Sequence, residues 1–318
     1  MFKMLKNAKL EAQHMVFQVL ESDGSVSFES EATHNLVLTN AYELIASHKV
    51  RNLFDSCVVG TGNTAPAVGQ TGLVSEVART TDRPFVDTVN FISAGVYEFQ
   101  VSRQFSVGVV GQILTEWGFS PVATAGNNLA VRELFRNTSN VPITIILTAG
   151  QQLRILYKAR ITLNTAIQNL TLNVAGVGNR TGKLYILRGT SGGQPNADLD
   201  LFEAASSGQD VLEYQPIMTT RPDVPSYSTL IERTSFSNTN LNSYIANSRT
   251  RSVIPPIFGV NDANGQIVGF DLSGGRWKPS AFAPHVTTAG AVFIFDAGQE
   301  ITKTNLQQFQ MPNWSVSW

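Results

Sequence analysis

The chain is short of the groups that most chemistry needs. Cysteine occurs once in 318 residues, at Cys57, so no disulfide and no cysteine-based zinc site can form within one chain. Its apolar neighbours Val58 and Val59 predict a buried, inert thiol. The four histidines, His14, His34, His48 and His285, lie far apart, and no two have metal-ligand spacing. Charged residues make up only 15%, against roughly 25% in ordinary soluble domains. With a formal net charge of −1 the chain exerts no long-range pull on nucleic acid or anionic lipid, and neither is expected as a partner. No run of about 18 apolar residues occurs, so no transmembrane helix is expected. Met1 to Leu10 holds three lysines but no apolar core or small-residue cleavage site, and does not read as a signal peptide.

What is present is glycine, 25 residues of it, with abundant Asn, Gln, Ser and Thr. Neutral polar surface is cheaper to desolvate than charged surface, which suits a β-rich protein that packs against other subunits. Tyr97 to Phe105 alternates apolar and polar residues, broken on its apolar face only by Arg103, as in a half-buried strand. Ile113 to Phe119 and Val131 to Phe135 continue the pattern. Ile143 to Leu147 and Leu153 to Ile161 read as a hairpin around Gly150. Upstream, His14 to Glu21 and Ser25 to Glu31 flank Asp23-Gly24, a strong hairpin signal. Asn35 to Lys49 is the one convincing helix, with Thr39 as its cap and Ala41, Leu44, Ile45 and His48 on one face. Asn52 to Val59 then reads as a strand.

The second half is less regular. Leu199 to Asn247 is polar and irregular, and Pro216, Pro222 and Pro225 argue against long helices and central strands. Ile254 to Val260 and Gln266 to Leu272 predict a hairpin over Asn264-Gly265. Val292 to Phe295 reads as a buried strand. At the end of the chain Trp314, Val316 and Trp318 fall on one face, which either joins the core or forms a subunit seam through Trp314 and Trp318.

Several loops resemble ligand-binding motifs and fail on inspection. Gly60-Thr61-Gly62-Asn63-Thr64-Ala65-Pro66 has neither the lysine nor the following helix of a phosphate cradle. In Gly176 to Lys183 the first required glycine falls on Val177, and Leu184 replaces the Ser/Thr that would hold magnesium. Asn261 to Gly265 lacks the carboxylate ladder of a calcium loop. No Gly-x-Ser-x-Gly elbow occurs. Glu116 and Glu133 are the carboxylates that a glycosidase could pair, but alternation with apolar neighbours predicts that both face solvent or an arginine such as Arg132. No catalytic, metal or cofactor residue is assigned, and no enzyme is expected.

From Leu36 to Leu163 the order of features resembles virion structural proteins of tailed bacteriophages. The resemblance lies in Asn35 to Ala41 with its helix, Val59 to Pro66, Leu73-Val74-Ser75-Glu76-Val77-Ala78-Arg79-Thr80, Glu116-Trp117-Gly118-Phe119, Leu134-Phe135-Arg136 and the Ile143 to Leu163 segment. Phe295 to Asn305 and the tail up to Trp318 resemble the closing segment of such proteins. The fold expected is all-β, an antiparallel jelly-roll-like sandwich carrying one short helix, with a second β-rich, loop-rich region. The divisions expected are an arm at 1–13, a sandwich at 14–172 and a second region at 173–318, made of a middle elaboration, 173–290, and closing strands, 291–318. The resemblance implies a structural subunit of the tail, collar or baseplate, partnered by copies of itself and by other virion proteins. A second reading is a fibre module that binds host-surface glycan through Trp277, Tyr227 or Tyr244. A third is a tailspike-like glycosidase, although no repetitive β-helix turns are visible.

Overall fold

The computed structural model describes residues 2–3, 7–106, 109, 111–188, 197–208, 212–218, 237–254, 257–274, 289–310 and 314–318. The chain folds into two compact units, one of Lys9–Thr162 and one of Met1–Ala8 with Leu163–Trp318. It therefore begins in the unit in which it ends, with strand β1 (Phe2–Lys3), and the sandwich lies between. No separate arm spans residues 1–13, because residues 9–13 already belong to a 12-residue strand. The boundary falls after Thr162 rather than after residue 172.

The first unit holds β2 (Lys9–Leu20), β3 (Val26–Glu29), β4 (Leu36–Val37), helix α1 (Thr39–Leu44), β5 (Ser56–Gly60), β6 (Glu76–Thr80), β7 (Thr88–Ser93) and β8 (Val96–Phe105). There follow β9 (Ile113–Leu114), β10 (Glu116–Ser120), β11 (Val131–Leu134), β12 (Ile145–Ile146) and β13 (Gln152–Thr162). Two five-stranded sheets form, ordered β3-β2-β13-β8-β7 and β4-β11-β10-β5-β6. Outer strands pair with outer strands, β2 with β13, β4 with β11 and β5 with β10, which gives the sandwich its jelly-roll-like wrapping. Along β13 burial alternates residue by residue, so Leu153, Ile155, Tyr157, Ala159 and Ile161 line the interior, as period-2 patterning requires. The sheets meet through aromatic rings, with Tyr157 stacked on Phe119 at 4.9 Å and edge-on to Trp117 at 5.9 Å. Such ring pairs add about 0.5–1.5 kcal/mol beyond their area.

Three local expectations for this unit are corrected. The helix is shorter than Asn35–Lys49, its N-cap is Leu38, and Thr39 makes no capping bond. Residues 50–54 form a 3₁₀ turn, and the strand begins only at Ser56. Ile143–Leu147 and Leu153–Ile161 are not a hairpin: β12 pairs with β9, while β13 inserts between β2 and β8. The Gly150 loop redirects the chain without joining its flanks, because two long apolar strands offer β13 far more burial than β12 could. The Asp23-Gly24 turn does close a hairpin, with Gly24 at φ 84 and Asp23 Oδ1 accepting from Ser25 N at 2.9 Å.

The second unit adds β14 (Gln168–Val174), β15 (Gly178–Arg188), α2 (Ala197–Ser207), β16 (Leu212–Ile217), β17 (Ser237–Leu241), β18 (Thr250–Ile254), β19 (Ile257–Phe258), β20 (Gly265–Ile267) and β21 (Gly269–Gly274). It is completed by β22 (Ala289–Phe295), β23 (Ile301–Lys303), β24 (Phe309–Gln310) and β25 (Trp314–Ser317). Eight of these strands and β1 join as β1-β25-β18-β17-β16-β21-β22-β15-β14 in one nine-stranded sheet. Both faces of β22 are covered. Phe293 and Phe295 pack with Phe270, while Val292 and Ile294 pack with Ile217 and Val268. The closing strands thus complete a second domain and do not belong to the sandwich.

Helix α2 lies in a stretch that sequence alone marks as irregular, and Leu201, Phe202, Ala204 and Ala205 are fully buried on it. Pro216 sits inside a strand that is interior to the sheet. On one side it lies opposite Phe270 of β21, and among the described residues its other neighbour, β17, pairs with Leu212 to Tyr214. The predicted Asn264-Gly265 hairpin does not form either, because β19 pairs with β24, β20 with β23, and β21 with β16 and β22.

Candidate functional site

The glycine-rich loop after β5 does cradle an anion, and the anion is the chain's own Glu116. Register explains how. Gly118 pairs with Arg132 across β10 and β11, so Glu116 and Arg132 share one face of their sheet, the face away from Trp117. There Glu116 is 0% exposed. Its Oε1 accepts from Gly62 N and Ser75 N, both at 2.9 Å, and its Oε2 from Val74 N at 3.1 Å. Arg132 completes the set, donating from Nη2 at 2.7 Å and Nε at 3.0 Å. The remaining guanidinium bonds reach Gln70 Oε1 at 2.6 Å and the Thr64 carbonyl at 2.9 Å. Glycine is required here for close approach. A Cβ on Gly60 would fall on the Ser75 carbonyl oxygen, and one on Gly62 on Glu116 Oε1.

The same register dismantles the carboxylate pair. Glu116 lies opposite Leu134 and Glu133 opposite Trp117, so the two side chains leave opposite faces of the sheet and cannot flank one bond. Glu133 Oε1 is occupied by Leu134 N and Arg136 Nε, each at 2.9 Å. The expectation that Glu116 faces solvent is corrected, whereas its pairing with Arg132 is as expected.

Arg103, the one break in its strand's apolar face, is also 0% exposed. It donates to the carbonyls of Phe54 and Asp55 at 2.7 and 2.8 Å and grips both oxygens of Asp87 at 2.8 and 2.9 Å. Burial pushes Asp55 up from the ordinary carboxylate range, opposed by Arg83 and then Arg103. A third internal ion occupies the loop that resembles a calcium site. Lys303, 4% exposed, donates to Asn264 Oδ1 at 2.8 Å and to the Val260 carbonyl at 3.4 Å. Cys57 is fully buried, and burial pushes its thiol well up, away from the reactive thiolate.

Two concavities open to ligands lie among the described residues. In the first unit, a groove of about 260 Å³ runs over the outer face of β2, β13 and β8 beneath residues 85–88, lined by His14, Val16, Phe85, Val86, Leu156 and Lys158 among others. Phe85 and Val86 are 53% and 88% exposed, and the Arg154 guanidinium lies 4.9 Å from the Phe85 ring centroid. Burial and then Lys158 lower the His14 imidazole below its ordinary value. In the second unit, a cleft of about 390 Å³ opens between the end of β14 and the segment 308–310.

The aromatic residues singled out from sequence fare unequally. Trp314 is 0% and Trp318 6% exposed, so the subunit-seam reading of both gives way to core. The strand that carries Trp314 is interior to the nine-stranded sheet, and Trp318 lies edge-on to Phe202 of α2 at 6.3 Å. Tyr244 stacks on Trp318 at 5.7 Å, which covers one ring face that a sugar platform would need. Trp277 and Tyr227 lie outside the described residues. The cleft at 308–310 was missed, although a half-buried phenylalanine between Gln308 and Gln310 was visible as an aromatic set among amides. Comparison with protein-family models, curated proteins and solved structures returns no match.

Proposed function

We propose that this chain is a structural subunit of a tailed-phage virion, built into the tail, collar or baseplate as a homo-oligomer, and that it acts by assembly rather than by catalysis. The observation that carries the reading is the pair of uncovered edges on one sheet of the sandwich. Among the described residues, the order β3-β2-β13-β8-β7 leaves the outer sides of β3 and β7 without a partner strand. Both expose apolar side chains: Val26 and Phe28 at 48% and 51%, Phe91 and Ile92 at 39% and 49%. Neither carries a lysine. Monomeric proteins guard such edges with charge, proline or cover. Two different edges on opposite sides of one sheet favour a head-to-tail contact, β7 of one copy on β3 of the next, which generates a ring when the rotation closes. The low charge of the surface and the resemblance of residues 36–163 to phage virion proteins support the same reading.

Sedimentation of the purified chain is expected to give a closed oligomer, and Phe28→Lys and Ile92→Lys each a monomer. Mixed together, the two variants are expected to form dimers, since each keeps the edge that the other lacks. A wild-type chain that stays monomeric at high concentration sinks the proposal. Antibody labelling of purified phage then reads the location, with label on tail, neck or baseplate expected. Particles that take no label would refute the virion reading, and label at fibre tips would move the chain to receptor binding.

A further inference from the structure

We propose that the cleft of the second unit binds a neutral carbohydrate. Its wall is aromatic: Phe309, half-buried, lies parallel to the fully buried Phe270 at a centroid distance of 5.6 Å and an interplanar angle of 17°. That stack fixes the ring against Phe293 and Phe295 behind it, so the surface that the cleft presents is rigid. Leu172 and Val174 extend the apolar lining at the end of β14.

The polar groups are amides, and those of the two glutamines are unoccupied. Asn173, Gln308 and Gln310 line the cleft. Gln308 and Gln310 are exposed and their side chains bond nothing among the described residues, while Asn173 turns its side chain to the face opposite Leu172 and Val174, where it donates to Asn179 Oδ1 at 3.0 Å. An amide carries donors and an acceptor together, which matches a sugar hydroxyl that must both give and receive. The apolar wall suits the C–H face of a pyranose ring.

The lining also narrows the class. Among the described residues none that lines the cleft is charged: besides those named, Ala175 contributes. A phosphate or an acidic sugar would enter without a counter-charge, whereas a neutral hexose or an N-acetylated sugar needs none. The volume of about 390 Å³ lies in the range of about 300–1,000 Å³ of small-ligand sites. This site is independent of the sheet edges that carry the assembly reading, so either proposal stands if the other fails.

The test is a printed array of neutral and acidic oligosaccharides probed with the full chain. Hits confined to neutral or N-acetylated members are expected, with affinity falling about tenfold or more in the Gln308→Ala/Gln310→Ala double variant, given the hydrogen bonds removed. Because both glutamines are exposed, the thermal midpoint of that variant should match the parent. Phe309→Ala should abolish binding, and the double variant keeps the test valid if Phe309→Ala unfolds. An empty array, hits restricted to acidic sugars, or hits that the double variant retains would each overturn the proposal. So would loss of self-association in the double variant without any glycan signal, which would give the cleft to a second copy of the chain.

Discussion

The sandwich and the nine-stranded unit combine buried ions with aromatic rings in different ways. In the sandwich, Arg103, Glu116 and Arg132 are each wholly buried, and their bonds run largely to the backbone of loops, as from Gly62, Val74 and Ser75 to Glu116. The nine-stranded unit buries ions as well, Asp198, Glu203 and Asp271 at 2% exposure or less and Lys303 at 4%, and adds ring clusters, Phe270 among Phe293, Phe295 and Phe309, with Trp318 between Phe202 and Tyr244. A buried ion is directional and fixes a loop in one geometry, while an aromatic cluster contributes more burial and less direction. The sandwich can therefore present long loops in fixed positions.

The largest effect that would break this comparison is Glu116→Ala. It strands the Arg132 guanidinium and three backbone N–H groups, and a destabilisation of about 3–5 kcal/mol is expected. Glu116→Leu with Arg132→Met should recover much of that stability, yet leave the 62–75 loop open to protease, since bonds to the loop are gone. Equal protease resistance in parent and double variant would show that the ions do not fix the loop. Ile294→Val in the other unit, which removes one buried methyl from a cluster with Ile217 and Val268, should cost only about 0.5–1.5 kcal/mol. Calorimetry would sharpen the contrast, with Glu116→Ala lowering the transition of the sandwich and Ile294→Val that of its companion.

The smallest effect concerns His14. Its folded value is lowered from 6.5 by burial and by Lys158, so the unfolded chain takes up the proton first as pH falls. Stability contributed by the neutral imidazole is complete above about pH 6.5 and declines as pH falls toward the folded value. Since His14 is only partly buried, the change is small. Urea midpoints at several pH values should show a shallower acid slope in His14→Gln than in the parent, and identical slopes would remove the linkage.

Much of the sandwich was legible because period-2 alternation reports a half-buried strand directly, as in Val96–Phe105 and Gln152–Thr162. Arg103 announced itself as the one ion on an apolar face. Partners were not legible in the same way. Thr148 to Gln152 reads as a hairpin loop, and so does Asn261 to Gly265, yet in both cases the flanking strands pair elsewhere. Turn chemistry is local, and strand pairing is decided by which distant apolar surface offers more burial. Helix α2 was hidden because its buried residues go almost all the way round and include Asp198, Glu203, Ser206 and Ser207, which erases the amphipathic period that marks a surface helix. The open cleft was hidden for another reason: Asn173 and Phe309 lie far apart in sequence, and nothing local links them.

By itself, then, the sequence determined an all-β chain with an inert thiol, few charges and no ordinary phosphate or calcium loop, because composition and spacing exclude chemistry without needing a fold. Only the tertiary structure decided what the suspect loops hold. The glycine-rich loop closes on Glu116 and the Asn-Gly loop on Lys303, since an ion forced into the interior must find its partners there. It also decided that Trp314 and Trp318 are core, that β3 and β7 are edges, and that Gln308 and Gln310 keep their amides free. Each of these depends on which remote strand lies alongside, a choice made by burial summed over the whole unit.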